Sequence, residues 1–259
     1  MAAFPINSPE AIQSRLAEGR IPRFGPVLML IARPTLILIA QGLTFLLFKQ
    51  IDVPNASVAV RNWWSVYGTL VDLGCLGLLI WLTRREGIRL RDLIGFVKAK
   101  LKTDIPVGLG IILVVFPVTV FGFGRIAMLI AYGSVTPEFP EATFTRTLPL
   151  LAVLYSRILW WPIWSATEEM TYNGYALPRL QAMTRSTWLS VGLVSIFFSL
   201  QHSFLPWAGF QYAFYMFVLF IPLTIALELI YLRVRRLTPL FIGHWMMDFF
   251  SAMFMLQIG

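Results

Sequence analysis

Apolar runs of about 20 residues, separated by short segments rich in Arg and Lys, leave this chain little choice of fold. A helix needs roughly 20 mostly apolar residues to cross a bilayer, and in lipid the backbone must satisfy its own hydrogen bonds. About seven such runs can be read, over 26–48, 63–82, 105–132, 148–173, 187–205, 210–231 and 238–257. The third carries Pro117 and is expected to kink or break there. The fourth can continue past its acidic end to Pro178. Only 13% of the residues are charged, against about 25% in a soluble domain. The expected fold is therefore all-α. It is a polytopic membrane helix bundle, one domain over 1–259, with about seven transmembrane helices plus short interfacial helices. Two segments outside the runs read as amphipathic and suited to the headgroup level. "SPEAIQSRLAEG" has a Ser cap and a Pro at the first helical position, and "GIRLRDLIGFVKAKLK" mixes apolar with basic residues.

The net charge is +8, but the basic residues sit in the loops between apolar runs. Anionic headgroups and membrane topology account for them, so membrane lipid is an expected partner and nucleic acid is not. Arg15, Arg20, Arg23, the cluster from Arg84 to Lys102, Arg179, Arg185, Arg233, Arg235 and Arg236 fall on one side when the N-terminus is cytoplasmic. That orientation follows the positive-inside rule and puts the C-terminus outside if the runs number seven. Residues 1–25 lack a long apolar core, so the first membrane helix reads as an uncleaved anchor. A bacterial cytoplasmic membrane is the expected location. Cys75 is the single cysteine and lies in an apolar run, where a small buried residue is expected.

Ionisable residues inside the runs are costly and tend to mark functional sites. They are Arg33, Asp72, Arg125, Arg157, Glu168, Glu169, His202, Glu228, His244 and Asp248, and they include both histidines of the chain. His244 and Asp248, in "HWMMD", are four residues apart and share one helical face about 6 Å apart. Phe198 and His202, in "FSLQH", have the same spacing. Glu168 and Glu169 project about 100° apart around a helix, so one can face a reaction and the other a neighbour. Two imidazoles and three carboxyls converging from three helices would offer a general base, donors to an oxyanion, or ligands for a divalent metal. Arg33, Asp72, Arg125 and Glu228 are expected to be snorkelling or pairing groups.

"EEMTYNGYALPRL", "FSLQH" and "HWMMD" resemble, in order, the three motifs of the CPBP family. This is the type II CAAX prenyl endopeptidase and bacteriocin-processing group of intramembrane proteases, also called the Abi family. The resemblance covers roughly 148–257, the expected catalytic core. It implies catalytic roles for Glu168, Glu169, His202, His244 and Asp248. Glu168 would activate water, His202 would share that role or bind metal, and His244 and Asp248 would serve an oxyanion or a metal. The family carries a zinc-type and a metal-free description. In the first, Glu169, His202, His244 and Asp248 would be ligands of zinc or another divalent cation; in the second there is no cofactor. Asp248 leans toward metal, because a carboxylate is a better ligand than an amide. The substrate class is a membrane-associated peptide or protein, lipidated or a leader peptide. Asn173 stands where the family has Arg, and Arg157 is the candidate to replace that cation. Two other functions compete: a non-catalytic scaffold or immunity protein of the same family, and a proton-coupled transporter. No inverted repeat favours the transporter.

Overall fold

Where polar side chains sit inside a helix bundle and apolar ones cover its outside, the solvent is a bilayer. The computed structural model, described over residues 6–259, has that distribution. Leu113, Phe121, Leu151 and Phe210 are 71%, 68%, 80% and 85% exposed, while Arg33, Asp72, Glu86, Glu168, Glu169, Arg179 and Glu228 are fully enclosed. The chain is an integral membrane protein, and it is all-α, with 79% of residues helical.

The helices are α1 (Pro9–Ala17), α2 (Phe24–Gln50), α3 (Ala56–Asn62), α4 (Trp64–Glu86), α5 (Leu101–Gly110), α6 (Gly124–Tyr132), α7 (Leu150–Tyr155), α8 (Trp161–Glu169), α9 (Leu177–Thr184), α10 (Thr187–Phe204), α11 (Phe210–Val234) and α12 (Thr238–Met255). Two short strands, β1 (Arg146–Leu148) and β2 (Leu256–Ile258), pair in parallel and tie the chain's end to the loop before α7. The α1 helix begins as its sequence predicts. Ser8 caps it by accepting from the Ala11 amide at 3.2 Å, and Pro9 takes the position whose missing N–H is not needed. The second amphipathic segment is not a continuous helix. It forms two 3₁₀ turns, Leu90–Leu93 and Lys98–Lys100, separated at Gly95. Gly95 has φ +64°, in the left-handed region, and an added Cβ would lie 3.2 Å from the Arg235 carbonyl oxygen.

Among the described residues, four helical segments are long and apolar enough to cross a bilayer: Phe24–Gln50, Trp64–Glu86, Leu90–Tyr132 and Phe210–Val234. The count of about seven is not confirmed. The other three expected spans are helical but differ in kind. The run 148–173 is divided among α7, α8 and π-helical turns, and α10 and α12 are 18 residues each with polar groups on the inner face. Mean hydropathy averages over all faces, so a helix that carries the polar interior scores low.

Proline sets the π-turns. Pro117 is flanked by π-helical Ile111–Val115 and Val118–Phe123, which is how the expected break is realised. Ser156–Trp160 precedes Pro162, and Met170–Ala176 precedes Pro178. Proline removes an amide donor and crowds the carbonyl four residues back, and a wider turn relieves both. The carbonyl that Pro178 leaves unbonded belongs to Gly174. Arg179 Nη1 donates to it at 3.1 Å and to the Tyr175 carbonyl at 3.3 Å. The same guanidinium forks onto Glu86 at 2.9 Å through both Nε and Nη2, and Arg15 Nε reaches Glu86 Oε1 at 2.7 Å. This buried triad joins α1, the end of α4 and α9, and it fixes the segment that follows the glutamates.

Candidate active site

The α8 helix ends on Glu168 and Glu169, and the π-turn after it widens the helix at that point. Both carboxylates are fully enclosed. They face different partners, as their angular separation predicts. Glu168 Oε1 accepts from His202 Nε2 on α10 at 3.0 Å and from the Gln201 side-chain amide. Glu169 Oε1 faces His244 Nδ1 on α12 at 2.9 Å, and its Oε2 accepts from Asn173 Nδ2 at 2.7 Å. The other nitrogen of His244, Nε2, lies 3.6 Å from Asp248 Oδ2, too far for a hydrogen bond. Asp248 Oδ2 is instead taken by the Ser165 hydroxyl of α8. The five expected residues thus form two carboxylate–imidazole pairs side by side, one closed by Asp248.

Packing fixes the imidazoles. His202 stacks on Phe220 with centroids 3.7 Å apart and on Phe198 at 5.8 Å, and Phe198 stacks in turn on Tyr172 at 4.6 Å. The Phe198–His202 spacing seen in the sequence is this stack. The His202 and Asp248 side chains, 13% and 16% exposed, are where the cluster reaches the surface. A cavity of about 650 Å³ beside the N-terminal segment, lined by Asn7, Arg91, Phe96, Arg235 and Arg236 among others, includes none of the five.

Further members come from outside the motifs. Arg33 on α2 is fully enclosed and stacks over the Trp164 ring, with its Cζ 4.3 Å from the centroid. Its Nε donates to Gln201 Oε1 at 2.8 Å, its Nη1 to Asp72 Oδ1 at 3.0 Å, and its Nη2 lies 3.8 Å from Glu168 Oε2. Gln201 is therefore a relay, accepting a hydrogen bond from Arg33 and donating one to Glu168. Arg33 and Asp72 are expected from sequence to be only snorkelling or pairing groups. They do pair, and the pair abuts Glu168. A charge within an apolar run was the signal, but no local spacing names its partner. Arg157 is not the replacement for the missing motif Arg. It donates to the carbonyls of Ala252, Met253 and Leu256 at 3.4, 3.2 and 2.7 Å, and so caps the end of α12. Glu228 is enclosed and accepts from Ser195 at 2.8 Å.

The donor set bears directly on the metal expectation. Among the described residues, no three His, Cys, Asp or Glu side chains converge as ligands of one ion. Glu169, His202, His244 and Asp248 are divided between the two pairs. His202 Nε2 is taken by Glu168 at 3.0 Å, whereas His244 Nε2 has no hydrogen-bond partner.

The bundle thus encloses two carboxylate–imidazole pairs among its C-terminal helices, groups able to do polar chemistry below the membrane surface. Residues 149–250 match the family of Rce1-like type II CAAX prenyl endopeptidases. The match covers the segment carrying all three motifs; it supports the CPBP-family resemblance and, at the coarse level, a hydrolase. No curated protein and no solved structure matches the chain.

Proposed function

We propose that the protein is an intramembrane endopeptidase that hydrolyses a peptide bond of a membrane-associated peptide or protein, with Glu168 as the base. One observation carries the reading. His202 and Gln201 hold Glu168 by Oε1 alone, which leaves Oε2 without a hydrogen-bond donor. A general base needs a fixed carboxylate with one oxygen free to accept a proton. Oε2 takes a proton from water as the water oxygen bonds to the scissile carbonyl carbon. The carbonyl oxygen becomes an oxyanion, and His244 as an imidazolium, with Nδ1–H given to Glu169, has Nε2–H left to donate to it. Glu169 fixes the His244 ring through Nδ1, and Asp248 limits its swing. When the C–N bond breaks, the Glu168 carboxyl returns its proton to the leaving amine. No step uses a metal.

The family's name supports a prenylated substrate ending in a CAAX sequence, presented from the bilayer to the His202 and Asp248 edge. The positive-inside pattern supports a cytoplasmic N-terminus. A second reading, a non-catalytic scaffold, draws on Asn173 standing in place of the motif Arg. The test uses purified protein in nanodiscs and an internally quenched peptide ending in Cys-Ala-Ala-Leu, with and without a farnesyl group. The parent should cleave, and Glu168→Gln, His202→Ala and His244→Ala should each lose at least about 10²-fold in kcat. Cleavage that persists in all three variants, or folded parent protein that cleaves neither peptide, removes the protease reading.

A further inference from the structure

The first motif of this chain lacks its usual cation. Asn173, at that position, is neutral, and it gives its amide to Glu169 rather than to Glu168. Yet Glu168 is fully enclosed next to a second carboxylate, an arrangement that needs a fixed positive charge nearby. The enclosed guanidinium of Arg33 lies beside it. Arg33 Nη2 and Glu168 Oε2 are both buried without any hydrogen-bond partner, and they face each other across 3.8 Å. Three contacts hold Arg33 there: Asp72 Oδ1 at 3.0 Å, Gln201 Oε1 at 2.8 Å and the Trp164 ring. Gln201 completes the loop by donating to Glu168 Oε1.

We infer that Arg33 is a positioning residue for the reaction proposed above, supplying from α2 the cation that the first motif lacks and fixing the orientation of Glu168 directly and through Gln201. The inference rests on the protease reading. The guanidinium's planar fork suits this role, because three separate nitrogens engage Asp72, Gln201 and the Glu168 side in one plane, which a lysine ammonium cannot reproduce. Asp72 is the anchor. It neutralises part of the charge and holds Arg33 Nη2 3.8 Å from Glu168 Oε2, beyond hydrogen-bonding distance, so that oxygen keeps an unshared lone pair to accept a proton. Arg33 does not touch the scissile bond. It acts on the rate through the placement and charge of Glu168.

Removing Arg33 alone leaves Asp72 buried without a partner, so Arg33→Met can fail by unfolding. The double variant Arg33→Met/Asp72→Leu removes both charges and keeps apolar volume, and swaps of this kind are commonly neutral for stability. The two variants, Arg33→Lys and Glu168→Gln are compared in nanodiscs with the farnesylated quenched peptide, reading kcat, KM and thermal stability separately. The inference expects the double variant to melt near the parent, to keep KM within about threefold and to lose about 10²-fold in kcat, a loss of the size seen when one preorganised electrostatic donor is removed. Arg33→Lys keeps the charge without the fork and should lie between parent and double variant. A double variant that is stable and cleaves at the parent's rate overturns the inference while Glu168→Gln remains inactive. Glu168→Gln cleaving as the parent does, or a parent that does not cleave, removes the protease reading and this inference with it.

Discussion

Gly243 immediately precedes His244 on α12 and lies where α12 crosses α5. A Cβ built there would be 2.7 Å from both Cβ and Cγ2 of Ile111 and 3.1 Å from the Gly108 carbonyl oxygen. On the opposite helix a Cβ at Gly108 would meet Ile242 at 2.6 Å. Small residues let the two backbones approach this closely, as membrane helices do where hydrophobic drive is absent. Ile111 is β-branched and stiff, so it cannot swing aside. Gly243→Ala must then open the crossing by about 0.7 Å to reach ordinary contact. If α12 takes that movement away from the cluster, His244 Nδ1 goes from 2.9 Å to about 3.6 Å from Glu169 Oε1, beyond the ~3.2 Å limit of a hydrogen bond. Overpacking of this kind costs about 1–3 kcal/mol in stability. A shift of about 1 Å at a reacting group costs up to ~10²-fold in rate. Thermal melts in nanodiscs and cleavage of the quenched peptide measure the two effects, with Gly192→Ala as control because nothing lies within 4 Å of its added Cβ. A Gly243→Ala protein that melts and turns over like the parent would refute the claim that this crossing sets the histidine.

Three further outcomes follow from the same geometry. Glu86→Gln leaves Arg15 and Arg179 buried against a neutral amide, so it should cost about 3–5 kcal/mol in a chemical-denaturation assay and expose the α1 segment to trypsin. Arg146 is 1% exposed with neither Nη atom hydrogen-bonded, and its main contact is the Trp64 ring at 4.4 Å. Desolvation costs several kcal/mol per buried ion and a cation–π contact returns about 2, so Arg146→Met should leave the melting temperature unchanged or raised; a clear drop counts against this balance. Because the donor set is divided between two pairs, dialysis against EDTA and 1,10-phenanthroline should leave turnover of the quenched peptide unchanged. Loss of activity that added zinc restores would overturn the metal-free mechanism.

The sequence by itself determined whatever depends on neighbours along the chain. Apolar run length specified helices in a bilayer, Ser8 and Pro9 specified the start of α1, and Pro117 marked where a helix would deform. Four-residue spacings placed His202 over Phe198 and His244 over Asp248. Cys75 is buried, as its apolar run implies. Residues 26–48, 63–82, 105–132 and 210–231 fall in helical segments apolar enough to cross a bilayer, whereas 148–173, 187–205 and 238–257 carry the polar side chains of the site. Only the tertiary structure decided which charges meet. Arg33 and Gln201 reach Glu168 from α2 and α10, and Asp72 of α4 holds Arg33, while Arg157, much nearer in sequence, turns away to cap α12. It also set His202 against Glu168 and His244 against Glu169. Local pattern fixes a helix and its faces, because those follow from residues within a turn or two. The rotation, depth and partner of each face follow from close packing across the bundle, where a single Cβ at Gly243 is enough to change the distances.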